Sequence, residues 1–412
     1  MEGIIIKLNN LNSNNGKIIK YILLSIVMYG MLFENVFEYY IPLLGNIDEG
    51  IAVLIILMGL LNIVKYKKRL FESKHSLNIL IALLFIILIG IAGNLIYKYQ
   101  YISFAFKEIF TFRGILCYAM IPIIFYDFKL EDYKKMIKIN IKLITIVLFI
   151  LVISNYFVDI FPYYEIRFGI KSQQLFFTHP TYLVVTSSII LALLSIYIDE
   201  DKKTYIYMGM ITVVIISTLR TKAIMFLVAY IYLLFIVVIR KRKLSIIDII
   251  ILGLIAVGMG ISEVREYLQN PDWARSAISI NSLDIAKNHL PFGSGFGTFG
   301  TWISGVNYSP LYFNYDMQTI WGLAPDYYNF VSDTFWPMIL AQFGFIGLII
   351  MGYIIVKIYT DIKDNENIYY YLGQMTILAY LITASIGEPS FTGPQSLILF
   401  MVIGLLGINR RR

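Results

Sequence analysis

The chain is poor in cysteine, histidine and charge, and each shortage excludes something. Cys117 is the only cysteine and lies inside an apolar run, which rules out a disulfide scaffold. No Cys/His cluster and no pair of carboxylates stands at metal-ligand spacing, so neither a metal nor any other cofactor is expected. Charged residues make up 15% of the 412 positions, against about a quarter in soluble domains. Hydrophobic residues make up 58%, and the mean hydropathy is +0.72. A soluble enzyme of this composition would lack the polar surface to cover its apolar excess. Gly/Ser linkers, heptads, low-complexity tracts and internal repeats are missing as well, so residues 1–412 read as a single integral-membrane domain.

What is present is a series of apolar runs. A helix needs about 20 apolar residues to cross the hydrocarbon core. The cleanest run, Ser76 to Tyr97, contains no Asp, Glu, Lys or Arg. Similar stretches lie near 18–38, 48–64, 110–126, 141–158, 180–198, 204–219, 222–239, 245–261, 335–356, 368–387 and 393–409. The expected fold is therefore all-α, a polytopic bundle of about twelve transmembrane helices. The first run reads as a span and not as a removable signal, because no small-residue cleavage site follows it. Lys and Arg concentrate in cytoplasmic loops. With both termini cytoplasmic, 24 of the 34 basic residues fall inside, including Lys65 to Arg69, Arg240 to Lys243 and Arg410 to Arg412. The formal charge of +7 is thus an orientation signal, and a nucleic-acid partner is not expected. One connection is long, residues 262–333 between the ninth and tenth spans, and it lies outside the cytoplasm. A second outer loop, 159–179, is of intermediate length. Long loops on membrane bundles are where function concentrates.

Basic residues that persist on the outer side need a reason. Arg167 in EIRFGIKSQQLFFTHP, Arg220 in ISTLRTKA and Arg275 in NPDWARSAISI are candidate anion ligands. The alternatives are a snorkelling interfacial anchor for Arg220 and a solvated surface charge for the others. Guanidinium offers paired donors to phosphate oxygens and stays charged. Arg265 is flanked by Glu263 and Glu266, which could neutralise it; Arg113, five residues after Glu108, reads as a buried structural or gating charge. The string from Asn288 to Trp302 interleaves Gly293, Gly295, Gly297 and Gly300 with phenylalanines and reads as a tight, shaped loop, either approaching a ligand or turning against a helix. All four tryptophans fall in or just after the long loop. Trp273, Trp302, Trp321 and Tyr327 are candidate sugar-stacking residues, with membrane-interface anchoring as the alternative. Acid–base candidates are few. His289 beside the glycine string and Asp333 at the outer mouth of a span are the two expected proton acceptors, although an N-cap role also suits Asp333. Glu388 stands at a similar mouth. His75 is cytoplasmic, and His179 before Pro180 reads as a helix cap.

Several strings together resemble the O-antigen ligase and polymerase family of membrane glycosyltransferases. Arg167-Phe168-Gly169 with His179-Pro180-Thr181 is similar to its arginine-glycine loop before a span. Ser217-Thr218-Leu219-Arg220 is similar to its segment at a tight outer hairpin. Pro291 to Phe299 resembles the glycine-rich run of its long outer loop, and Asp333 to Gly347 the span that follows. The likeness covers roughly residues 160–360. Ligases of the family carry a histidine pair where this chain has Ser332-Asp333-Thr334, which favours the polymerase branch. The resemblance implies an enzyme of the bacterial plasma membrane. Its substrates would be an undecaprenyl-diphosphate-linked polysaccharide and a lipid-linked oligosaccharide repeat unit. Membrane lipids, a chain-length regulator and a flippase would be its partners. Arg167, Arg220 and Arg275 would hold the donor diphosphate, and Asp333 or His289 would take the acceptor proton. The rival readings are an O-antigen-type ligase, a lipid-linked oligosaccharide flippase or other transporter, and a structural or receptor-like membrane protein.

Overall fold

Helix dominates the computed structural model, which describes residues 14–270 and 272–408. The arginine run Arg410 to Arg412, both termini, and the side chains of Glu263, Arg265 and Glu266 lie outside the described residues. Five helical segments are long and apolar enough to cross a membrane: Pro42–Lys65, Lys74–Tyr97, Leu130–Val158, Thr221–Ile239 and Trp336–Lys363. Four shorter apolar helices accompany them, Pro180–Ser195, Thr204–Ser217, Ile246–Ala256 and Ser396–Leu406. The protein is therefore a helical membrane protein. Twelve crossings do not follow from helix length alone, because Ser396–Leu406 has only 11 residues and rises about 16 Å, half the hydrocarbon thickness.

The chain divides into two compact units, one formed by residues up to Ile51 with Asp127–Arg220, the other by Ala52–Tyr126 and the residues from Thr221 onward. In the first unit, the helix Lys134–Val158 buries one stripe, Ile137, Ile141, Ile144, Leu148 and Val152. These positions recur at the three- and four-residue spacing of a helical face. Its other face leaves Ile139, Leu143, Val147 and Ile150 exposed, an arrangement suited to lipid as the surrounding solvent. The loop 159–179 holds structure that the helical pattern does not predict. Strand β1 (Tyr163–Arg167) pairs antiparallel with β2 (Ile170–Gln173). Phe168 and Gly169 join them, both with positive φ, as a two-residue hairpin turn matching strand twist requires.

In the second unit the long loop is a folded layer. It contains the helices Ala274–Asn288, Trp302–Val306 and Pro310–Asn314 around a core that includes Ile278, Ile285, Phe299, Leu311 and Tyr312. Residues 293–301 of the glycine string are buried, clamped between the helices Lys74–Tyr97 and Trp336–Lys363. Asn94 bonds both the carbonyl (2.9 Å) and the amide (2.8 Å) of Phe296. Gln342 accepts from the amide of Gly297 at 3.2 Å and donates to the carbonyl of Phe299 at 2.7 Å. A Cβ at Gly93 would stand 2.7 Å from the backbone nitrogen of Gly295, so only glycine permits this approach. Phe112, Phe296 and Phe343 close the contact edge-to-face. Between the two readings of the string, this geometry is that of a turn packed against helices.

Candidate functional site

The first unit assembles a cation cluster at its hairpin. Alternation along β1 puts Glu165 and Arg167 on the same face. The carboxylate of Glu165 then lies 2.9 Å from Nε of Arg167 and 3.3 Å from Nη1 of Arg220. Arg220 follows Leu219, which adopts φ +50 at the end of the helix Thr204–Ser217. The turn is tied to the hairpin by two bonds. Arg167 donates to the carbonyl of Leu219 at 3.3 Å, and Ser172 donates to that of Thr218 at 2.7 Å. The ring of Tyr164 lies 4.4 Å from the Arg220 guanidinium carbon. His179 caps the helix Pro180–Ser195, and its Nε2 is 3.1 Å from Nη2 of Arg220. One carboxylate thus faces two guanidiniums, leaving a net positive charge, and Nε of Arg220 is buried with no hydrogen-bond partner among the described residues. Glu165 thereby orients both guanidiniums within the half-buried cluster.

The second unit assembles an acid site. Asp333 follows the long loop just before the helix Trp336–Lys363 and is paired with Arg275 at 2.9 Å. Burial raises its carboxyl from the ordinary aspartate value, and the opposing pull of Arg275 and Lys222 does not cancel this. Lys222 pairs with Glu388, which also accepts from Tyr380 at 3.0 Å. Two buried hydroxyls beside the pair, those of Ser276 and Thr334, have no hydrogen-bond partner among the described residues. The site therefore offers a basic carboxylate, a cation and unfilled hydrogen-bonding capacity.

The expected site residues divide between the units. Arg167 and Arg220 come together in the first; Arg275 belongs to the second, where its partner is Asp333. His289 is buried, and both ring nitrogens are engaged. Nδ1 donates to the carbonyl of Ile285 at 2.7 Å, so Nε2 accepts from the hydroxyl of Tyr99 at 3.0 Å. That is a structural pin with no nitrogen left for a substrate proton. Trp321 is 70% exposed and packs on Tyr327 and Phe330. Trp302 packs on Tyr328, and Trp273 is half exposed at the start of its helix. Arg113 is buried, with its guanidinium 5.4 Å from the ring of Phe110.

Glu165, Tyr164 and Lys222 are not singled out by sequence. For Glu165 the available signal was its two-residue spacing from Arg167, which acquires meaning only in a strand. Glu108 is a further surprise. Its carboxyl is fully buried and pushed up to about 8, with bonds from Thr301 and Gln342 offsetting part of the burial effect. Its Oε2 has no hydrogen-bond partner among the described residues.

A scan against protein-family models gives no match, and neither does a search of curated proteins.

Proposed function

We propose that this protein is a glycan polymerase of the bacterial plasma membrane, elongating a capsule, O-antigen or similar exopolysaccharide at the outer face. The supporting observation is the pair Arg167 and Arg220, held on one carboxylate with a surplus of positive charge in a membrane protein otherwise poor in charge. In the proposed topology the four shorter apolar helices also cross, as do Asn14–Leu32, Arg113–Ile124 and Ile368–Ala384, which makes twelve spans with both termini cytoplasmic. The donor is an undecaprenyl diphosphate carrying the growing glycan, and its diphosphate lies against the guanidiniums. A hydroxyl of the lipid-linked repeat unit attacks the anomeric carbon. The new carbon–oxygen bond forms as the bond to the diphosphate breaks, the electron pair stays on the departing phosphate oxygen, and the hydroxyl proton passes to a carboxylate base. Positioning and charge stabilisation do most of this work. Exposed Trp321 and Tyr327 offer faces for sugar rings.

The test is a glycan ladder made by purified protein from lipid-linked repeat units. Arg220→Lys keeps the charge but loses the paired donors, and the expected rate falls roughly 10- to 100-fold. A wild-type ladder that Arg220→Lys leaves unchanged rejects the diphosphate clamp. Repeat units appearing across a sealed vesicle without elongation would instead support a flippase.

A further inference from the structure

We infer that the second unit holds the isoprenoid chain of a lipid-linked substrate in an apolar cavity that begins beside the acid site. The inference rests on the polymerase reading above and gives one of its lipids a place.

Four helices of this unit, Thr221–Leu234, Ile246–Gln269, Trp336–Lys363 and Ile368–Ala384, surround a cavity of about 330 Å³. Packed helices normally interdigitate as densely as organic crystals, so a space of ligand size between them is a candidate binding site. Small residues make the room: Ala229, Gly253, Ala256 and Ala379 all line it. A Cβ built on Gly253 meets nothing within 4 Å. The two polar side chains in the lining are engaged. Thr383 donates to the carbonyl of Ala379 at 2.9 Å, and Tyr359 donates to that of Leu244 at 3.4 Å. Such a lining offers water too few hydrogen-bonding partners and suits hydrocarbon. Ile249, Val356 and Ile382 belong to the lining and are exposed, so a chain enters sideways from the bilayer.

Two features favour an isoprenoid over the acyl chain of a phospholipid. One is where the cavity begins. Met225 lies one helical turn from Lys222, and Thr383 follows Tyr380, whose hydroxyl bonds Glu388, the partner of Lys222. A chain leaving the cavity at this end brings its head group to the site of Asp333 and Arg275. The other feature is reach. From Lys222 to Leu233 the helix rises about 16 Å, half of the roughly 30 Å hydrocarbon core. The lining continues to Leu244, close to Arg242, which pairs with Asp248 at 3.0 Å. An acyl chain anchored in one leaflet ends near the midplane, whereas a polyprenyl chain continues past it.

The experiment is photo-crosslinking of the purified full-length protein in phosphatidylcholine nanodiscs. The probe is geranylgeranyl diphosphate with a diazirine at the end of its chain, and peptide mapping locates the label. Label is expected on residues 225–233 or 375–383. Gly253→Leu and Ala379→Leu add side chains to the cavity lining and should each cut that labelling about tenfold, with Tm unchanged or raised. Gly209→Leu is the control, since its Cβ also meets nothing within 4 Å but it lies on the helix Thr204–Ser217 of the first unit. It should label as wild type does. Excess undecaprenyl diphosphate should displace the probe, and the same amount of phosphatidylglycerol should not. Displacement by both assigns the cavity to acyl chains in general and overturns the inference. Label spread evenly over the apolar helices, full labelling in both filled variants, or losses that track Tm in both overturn it too. If the cavity takes no label and the glycan ladder still forms, the polymerase reading stands without this site. Labelling that the filled variants lose, with no ladder formed by wild type, retains the site and removes the polymerase.

Discussion

Asp333 is pulled two ways, by burial that favours its neutral form and by Arg275, which favours the charged one, and burial prevails. A base of this kind works only when ionised, so activity should be lost as pH falls, at a pH raised from that of an ordinary aspartate. Removing the cation in Arg275→Gln should move that acidic limb further up, and a pH–rate profile of ladder formation reads both. Asp333→Asn should lower the rate roughly 10²- to 10⁴-fold; unchanged turnover would remove the base. At this scale the sequence singles out the arginines because Lys and Arg are sparse outside the segments expected to be cytoplasmic. Their partners were not. Glu165 matters through strand alternation in a loop with no strand signal strong enough to name, and the link between Arg275 and Asp333 spans 58 positions of sequence.

Among the elements, the glycine string and the helices that clamp it respond most sharply to substitution. Gly293 has φ +74, and a Cβ there would stand 2.5 Å from the carbonyl oxygen of Gln342. Gly293→Ala should therefore destabilise the second unit by about 1–3 kcal/mol, seen as a lower Tm. Glu108 supplies a separate signature. Its carboxyl is raised from 4.5 to about 8, so the folded state keeps a proton that the unfolded chain releases. Its contribution is fully present below 4.5 and is lost progressively as pH rises toward about 8. Glu108→Gln, neutral at every pH, should flatten that part of the Tm-versus-pH curve. Identical curves for the two proteins would show that Glu108 ionises normally. The alternation of glycine and phenylalanine announced a tight turn. Its burial between two helices was invisible, because it depends on Asn94, Gln342 and Gly93 lying far away in sequence.

For the whole molecule, composition identified a membrane protein, since 58% hydrophobic residues cannot be hidden in a soluble fold of this length. The number of crossings is a finer matter than composition: five helices are long and apolar enough to cross, and apolar runs record composition while helices also break at caps and turns. The proposed orientation is open to cysteine labelling, helped by the single native cysteine being buried. In a Cys117→Ser background, Asp326→Cys should react with an impermeant maleimide in intact cells, and Lys241→Cys should not. The reverse pattern would invert the topology and remove the cation cluster from the outer face. The most direct test of the central claim is to measure free undecaprenyl diphosphate as purified protein elongates lipid-linked repeat units. One lipid diphosphate released per glycosidic bond formed is the expected result. Elongation without that release, or no elongation from diphosphate-linked donors, would contradict it.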